Sequence, residues 1–248
     1  GKSIAFMSRT DPRAFDYATW HLAAAPATGG EARLLTQALD RNISAPRFAA
    51  DGESIYFLLE DDGAQSLARI PASGGEIARP ISGRRVVDAF TLGKDGAVAA
   101  LISEPKLPYE IFLLSGNDLR RLTAMNDALL GQIRLADVEY TRFKSKDGTE
   151  IAAYFFRPPA YNAELRYPAL LRIHGGPQAM FDAQFHFEEQ LFAANGYVVV
   201  KANPRGSTGY GQKFCQAIFA DWGNKDYQDV MGAVDHVIAM GIADPDRL

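Results

Sequence analysis

One stretch, residues 167–211, restricts the possible folds of this chain more than any other. Residues 169–173 are mainly apolar with one Arg, and they run into His174-Gly175-Gly176-Pro177. A short apolar run stopped by two glycines and a proline reads as a buried strand entering a tight loop. Residues 184–194 then carry Phe187, Leu191, Phe192 and Ala194 at helical spacing and stop at Asn195-Gly196. Residues 197–202 are a second apolar run, ending in Asn203-Pro204-Arg205-Gly206-Ser207-Thr208-Gly209-Tyr210-Gly211. Strand, glycine loop, helix, strand is a βαβ unit, which predicts a parallel sheet with helices on both faces. In such sheets ligands lie beyond the carboxyl ends of the strands, where both glycine loops fall.

Upstream of this unit the sequence repeats. Gly29-Gly30-Glu31 and Gly74-Gly75-Glu76 are 45 residues apart, and Asp51-Gly52 and Asp95-Gly96 are 44 apart. Arg33-Leu34-Leu35-Thr36, Arg79-Pro80-Ile81-Ser82 and Arg121-Leu122-Thr123 close successive units. Short strand-like runs alternate with turns inside each unit, the pattern of β-propeller blades of ~40–45 residues. The expectation is a partial propeller of about three blades over residues 1–130. A closed ring takes ~4–8 blades, so further blades are expected upstream of Gly1.

Residues 124–137 break the period. Residues 138–143 and 150–157 then read as two strands joined at Asp147-Gly148, a strong hairpin signal. Residues 131–248 are therefore expected to be the N-terminal half of an α/β-hydrolase domain, with the hairpin at the edge of its sheet.

Composition removes several classes of function. The net charge of −4 leaves no basic footprint for nucleic acid or an anionic membrane. No apolar run approaches the ~18–20 residues of a membrane span. The single cysteine, Cys215, excludes an internal disulfide and agrees with a reducing, cytoplasmic compartment. His21, His186 and His236 stand apart without metal-ligand spacing, so neither metal nor cofactor is expected.

The glycine loops offer specific chemistry. Two successive glycines after a strand let the backbone approach a substrate and aim N–H groups at a developing oxyanion. Gly175 and Gly176 are the candidates, against the alternative of a turn without a ligand. His174 precedes the loop, whereas the general base of an α/β-hydrolase follows the nucleophile, so it reads as a structural brace. Gly206, Gly209 and Gly211 are spaced G-x-x-G-x-G, which is not a phosphate-binding order. Ser207 lacks the G-x-S-x-G setting of a nucleophile elbow, because Arg205 stands two residues before it. Asp221-Trp222-Gly223 reads as a helix cap with a packing anchor.

Taken in order, Asp147-Gly148, Tyr167-Pro168, the loop at 174–177, Asn195-Gly196-Tyr197, the run 203–211, Asp221-Trp222-Gly223 and Asp244-Pro245-Asp246-Arg247 resemble the prolyl oligopeptidase (S9) family of serine peptidases. The likeness is to its acylaminoacyl-peptidase and dipeptidyl-peptidase-like branches. It implies a propeller and an α/β-hydrolase domain whose Ser-Asp-His triad cleaves short peptides. In that family the elbow follows the Asp-Pro-Asp-Arg stretch, so the triad is expected after Leu248 and the chain is expected to be inactive alone. Of the catalytic machinery only an oxyanion loop, Gly175 and Gly176, carries over. An esterase on the same scaffold and a non-catalytic propeller that binds partners remain the alternatives. Oligomeric state is not legible in the sequence.

Overall fold

The computed structural model describes residues 1–248, apart from the side chain of Phe15. The chain divides into two compact units, Gly1–Ala124 with Asp182–Gln184 and Thr208–Lys213, and Met125–Phe181 with Phe185–Ser207 and Phe214–Leu248.

In the first unit, β1 (Ser3–Ser8), β2 (His21–Pro26) and β3 (Arg33–Leu34) form a three-stranded antiparallel sheet. The next eight strands are β4 (Ile43–Phe48), β5 (Ser54–Asp61), β6 (Ala64–Pro71), β7 (Ala78–Ile81), β8 (Val86–Leu92), β9 (Val98–Glu104), β10 (Leu107–Ser115) and β11 (Asp118–Arg121). They belong to one sheet, ordered β11-β10-β9-β8-β6-β5-β4, with β7 on β6. β5 is apolar on both faces. Ile55, Phe57 and Leu59 pack with Leu22 and Ile43, and Leu58 packs with Leu67, Val87 and Phe90.

The expected propeller is not found. Among the described residues there are three sheets, and none is closed or propeller-like. The 44–45-residue period is a repeat of hairpins, and hairpin patterning is the same whether successive meanders separate into blades or join edge to edge. Here they join. β6 and β8 pair in parallel at Gln65 and Val86, where the Gln65 backbone N–H donates to Arg85 O and its Nε2 donates to Val87 O. One glutamine bridging two edges is a tertiary event that local periodicity does not encode.

The second unit begins with a short helix, α1 (Asp127–Leu130), and the hairpin of β12 (Asp137–Lys144) and β13 (Glu150–Arg157), in register from Asp137–Arg157 to Lys144–Glu150. β14 (Ala169–Arg172), α2 (Phe187–Ala194) and β15 (Val198–Asn203) follow as a βαβ unit with β14 and β15 parallel. The sheet order is β12-β13-β15-β14, and β13 pairs antiparallel with β15. The sheet is thus mixed rather than parallel throughout. α3 (Gln212–Gln216) and α4 (Lys225–Ala239) complete the helices.

Strand alternation separates the two faces of this sheet. Ile151, Ala153, Phe155, Val198, Val200 and Ala202 pack on Ala233 and Val237 of α4. The opposite face carries Tyr154, Phe156 and Lys201 under α2. Lys201 is wholly buried, its ammonium over the rings of Phe181, Phe156 and Tyr154 and 4.0 Å from Glu189 of α2. Trp222, expected as a packing anchor, is 64% exposed.

Candidate active site

β14 ends at Arg172, and the loop 173–181 begins directly beyond its carboxyl end. Gly175 and Gly176 are both exposed. Neither N–H donates a hydrogen bond to any group among the described residues. Gly176 has φ +133°, and a Cβ there would lie 2.6 Å from Gln178 N, so only glycine fits without moving the backbone. A Cβ on Gly175 would meet nothing within 4 Å. Two exposed amides without a hydrogen-bond acceptor among the described residues thus follow the tip of β14.

His174 and Ser207, which sequence reasoning kept apart, are in contact. His174 Nδ1 is 2.9 Å from Gly175 O, and because a carbonyl only accepts, Nδ1 carries a proton. Nε2 is 2.9 Å from Ser207 Oγ. The Ser207 hydroxyl also lies 2.6 Å from Pro204 O, to which it donates. In the neutral imidazole one hydroxyl proton is therefore shared between two acceptors. Burial pushes the imidazole below its ordinary value, with the hydrogen bond to Gly175 O pulling the other way. The ring meets Phe181 edge-on at 5.0 Å. Ser207 is completely buried, so its hydroxyl is a structural group rather than a nucleophile facing substrate. His174 is the brace the sequence suggested, and its anchor is a residue the sequence did not identify.

Arg205, two residues before Ser207, is the hub of a second polar cluster. Its Nε donates to Asp229 Oδ2 at 2.9 Å and its Nη2 to Asp229 Oδ1 at 2.8 Å, a bidentate pair. The Arg205 backbone N–H donates to the same carboxylate, and Nη1 reaches Asp147 and Thr149. Ser145 Oγ donates to Asp229 as well. The Asp229 carboxylate, more than any other group, raises the guanidinium further above its already high value. The hydrogen bond from Arg205 holds Asp147 well below the usual carboxylate range. Asp229 is a buried residue near the N-terminal end of α4. Its spacing to Ala233 and Val237 on the core face was the signal for a buried partner.

Asn203 completes the arrangement, with Oδ1 accepting from Phe181 N at 2.7 Å and Nδ2 donating to Phe181 O at 2.9 Å. Among the described residues no cluster of His, Cys, Asp and Glu could hold a metal, and no helix is long and apolar enough to cross a membrane.

Comparison with known proteins finds peptidases. Residues 183–248 match the profile of the prolyl oligopeptidase family. The chain is 34% identical over 207 residues to an uncharacterized peptidase, YuxL, of Bacillus subtilis, a match covering 82% of this chain and 31% of that protein. It is 27% identical over 252 residues to dipeptidyl-peptidase 5 of Porphyromonas gingivalis, covering 100% of this chain and 36% of that one. The uncomplexed structure of Pyrococcus horikoshii acylaminoacyl peptidase superposes with a TM-score of 0.86 at 25% identity, over 98% of this chain and 38% of its own. The chain spans about a third of the length of the curated relatives it matches.

Proposed function

We propose that this chain, a relative of the S9 family of peptidases, supplies the oxyanion-binding side of a serine-type peptidase site that hydrolyses short peptides by acyl transfer. The observation that carries this reading is the pair of exposed, unengaged N–H groups at Gly175 and Gly176 beyond the tip of β14. In acyl transfer the carbonyl oxygen gains charge as the tetrahedral intermediate forms. Amides already aimed at that position stabilise the charge without reorganising. A donor that engages only the charged intermediate lowers the barrier without tightening substrate binding.

The nucleophile is not among these residues. No G-x-S-x-G occurs from Gly1 to Leu248, and Ser207 is buried with its hydroxyl engaged. Residues 1–248 alone therefore do not turn over substrate. Incubating the purified chain with peptide p-nitroanilides and p-nitrophenyl esters should give the blank rate, and hydrolysis above blank would overturn that statement. In the whole peptidase, Gly176→Ala keeps the backbone N–H but forces the loop backbone to move, because a Cβ there would lie 2.6 Å from Gln178 N. The displaced donor should lower kcat by about 10²–10³-fold with KM nearly unchanged, the scale of one lost oxyanion donor. A kcat within twofold of the parent would sink the oxyanion assignment.

A further inference from the structure

We propose that residues 203–207 are a positioning device that grips the glycine loop at three points and holds the Gly175 and Gly176 amides outward. The functional meaning of that role rests on the oxyanion reading, although the grip itself does not. The three points are distinct. At the far end of the loop, the Asn203 side chain clamps the Phe181 backbone through both its donor and its acceptor. In the middle, Gly206 abuts Pro177 so closely that a Cβ on Gly206 would lie 3.0 Å from Pro177 Cβ and 2.5 Å from Ile218 Cδ1. At the near end, Ser207 Oγ meets His174 Nε2.

The gripping segment is itself fixed. Residues 203–207 are all buried, and Arg205 in their middle is tied to Asp229 by its side chain and its backbone N–H. By contrast, residues 175 and 176 are exposed and donate no hydrogen bonds among the described residues. A segment with free amides keeps one orientation only if other groups hold it, and besides the His174 Nδ1 bond to Gly175 O, which restrains one peptide plane, the hold comes from its flanks. Contacts at 174, 177 and 181 bracket the two amides and leave their N–H groups unused. Asn203 and Ser207 are thus positioning residues, acting on any ligand only through the loop they hold.

The test compares Asn203→Ala, Ser207→Ala and Ser207→Thr in the 248-residue chain by amide NMR, hydrogen exchange and thermal melting. The positioning role predicts that both alanine variants shift the Gly175 and Gly176 amide resonances. Exchange of the bonded loop amides, Ala179 and Phe181, should quicken by about tenfold, the scale of one hydrogen bond, with β13 exchange unchanged. Ser207→Thr keeps the hydroxyl and should restore the parent glycine resonances. Should Asn203→Ala not fold, Ser207→Ala carries the test alone, read also at the His174 imidazole C2–H. Unmoved glycine resonances, or quickened exchange spread evenly through the unit, would overturn the proposal. If the glycine amides respond while Gly176→Ala leaves kcat of the whole peptidase intact, the grip stands and the oxyanion reading fails.

Discussion

Ser207 Oγ lies 2.9 Å from His174 Nε2, so a buried hydroxyl after β15 holds the residue that opens the exposed glycine loop after β14. The pair looks like a nucleophile and its base, yet it has the wrong exposure for catalysis. The hydroxyl donates to Pro204 O and has no access to a substrate carbonyl. What the contact does is transmit order from the core of the second unit to the two amides beside it.

Gly175 and Gly176 should respond unequally to the same change. Gly176→Ala forces a Cβ against Gln178 N at φ +133°, and a strained backbone of this kind costs about 1–3 kcal/mol. Gly175→Ala meets open space and should stay within about 0.5 kcal/mol of the parent. Urea unfolding of the two variants checks this. Equal stabilities would show that the loop relaxes freely around position 176.

The Arg205 hub should be unequal in its two carboxylates. Asp229 is fully buried, and Asp229→Ala leaves a guanidinium with 6% side-chain exposure facing an emptied site. Removing one partner of a buried pair costs about 3–5 kcal/mol. Asp147 is 43% exposed, and Asp147→Ala should cost about 1 kcal/mol or less. Comparable losses from the two substitutions, measured by chemical denaturation, would contradict the burial argument.

Stability should fall as the solution is acidified from neutral pH. His174 has a folded value below its ordinary one, so between that folded value and about 6.5 the unfolded chain binds more protons. The contribution is full above about 6.5 and is lost as pH drops toward the folded value. His21 and His236 are depressed by burial too and act with the same sign. His174→Gln should therefore flatten the dependence of unfolding free energy on pH in this window without abolishing it. Asp147 acts in a separate, lower window. Its depressed carboxyl stabilises the fold above about pH 4, and that contribution disappears on further acidification. An unchanged slope in His174→Gln would show that the imidazole is equally solvated in both states.

The βαβ unit, its two glycine loops and the hairpin at Asp147-Gly148 were all legible in the chain, because each is written in local terms. Apolar runs of strand length, helical spacing at Phe187 and Leu191, and glycines or an Asp-Gly pair at the breaks are consequences of backbone sterics and of which face is buried. The glycine pair was legible for the same reason, since φ +133° at Gly176 admits little else. The likeness to S9 peptidases came from the order of such pieces.

Tertiary structure decided the rest. Whether the repeated hairpins separate into blades or share a sheet is a choice among edges that look alike from within each strand, and here the two edges meet where Gln65 bonds Arg85 and Val87. Likewise nothing local to Ser207, Asn203 or Asp229 says that they meet His174, Phe181 and Arg205. A side chain's hydrogen-bond capacity is fixed by its chemistry, but its partner is whichever group the packed elements bring within about 3 Å. Sequence determined which segments could be strand, loop and helix, and the fold determined which buried polar groups must satisfy one another.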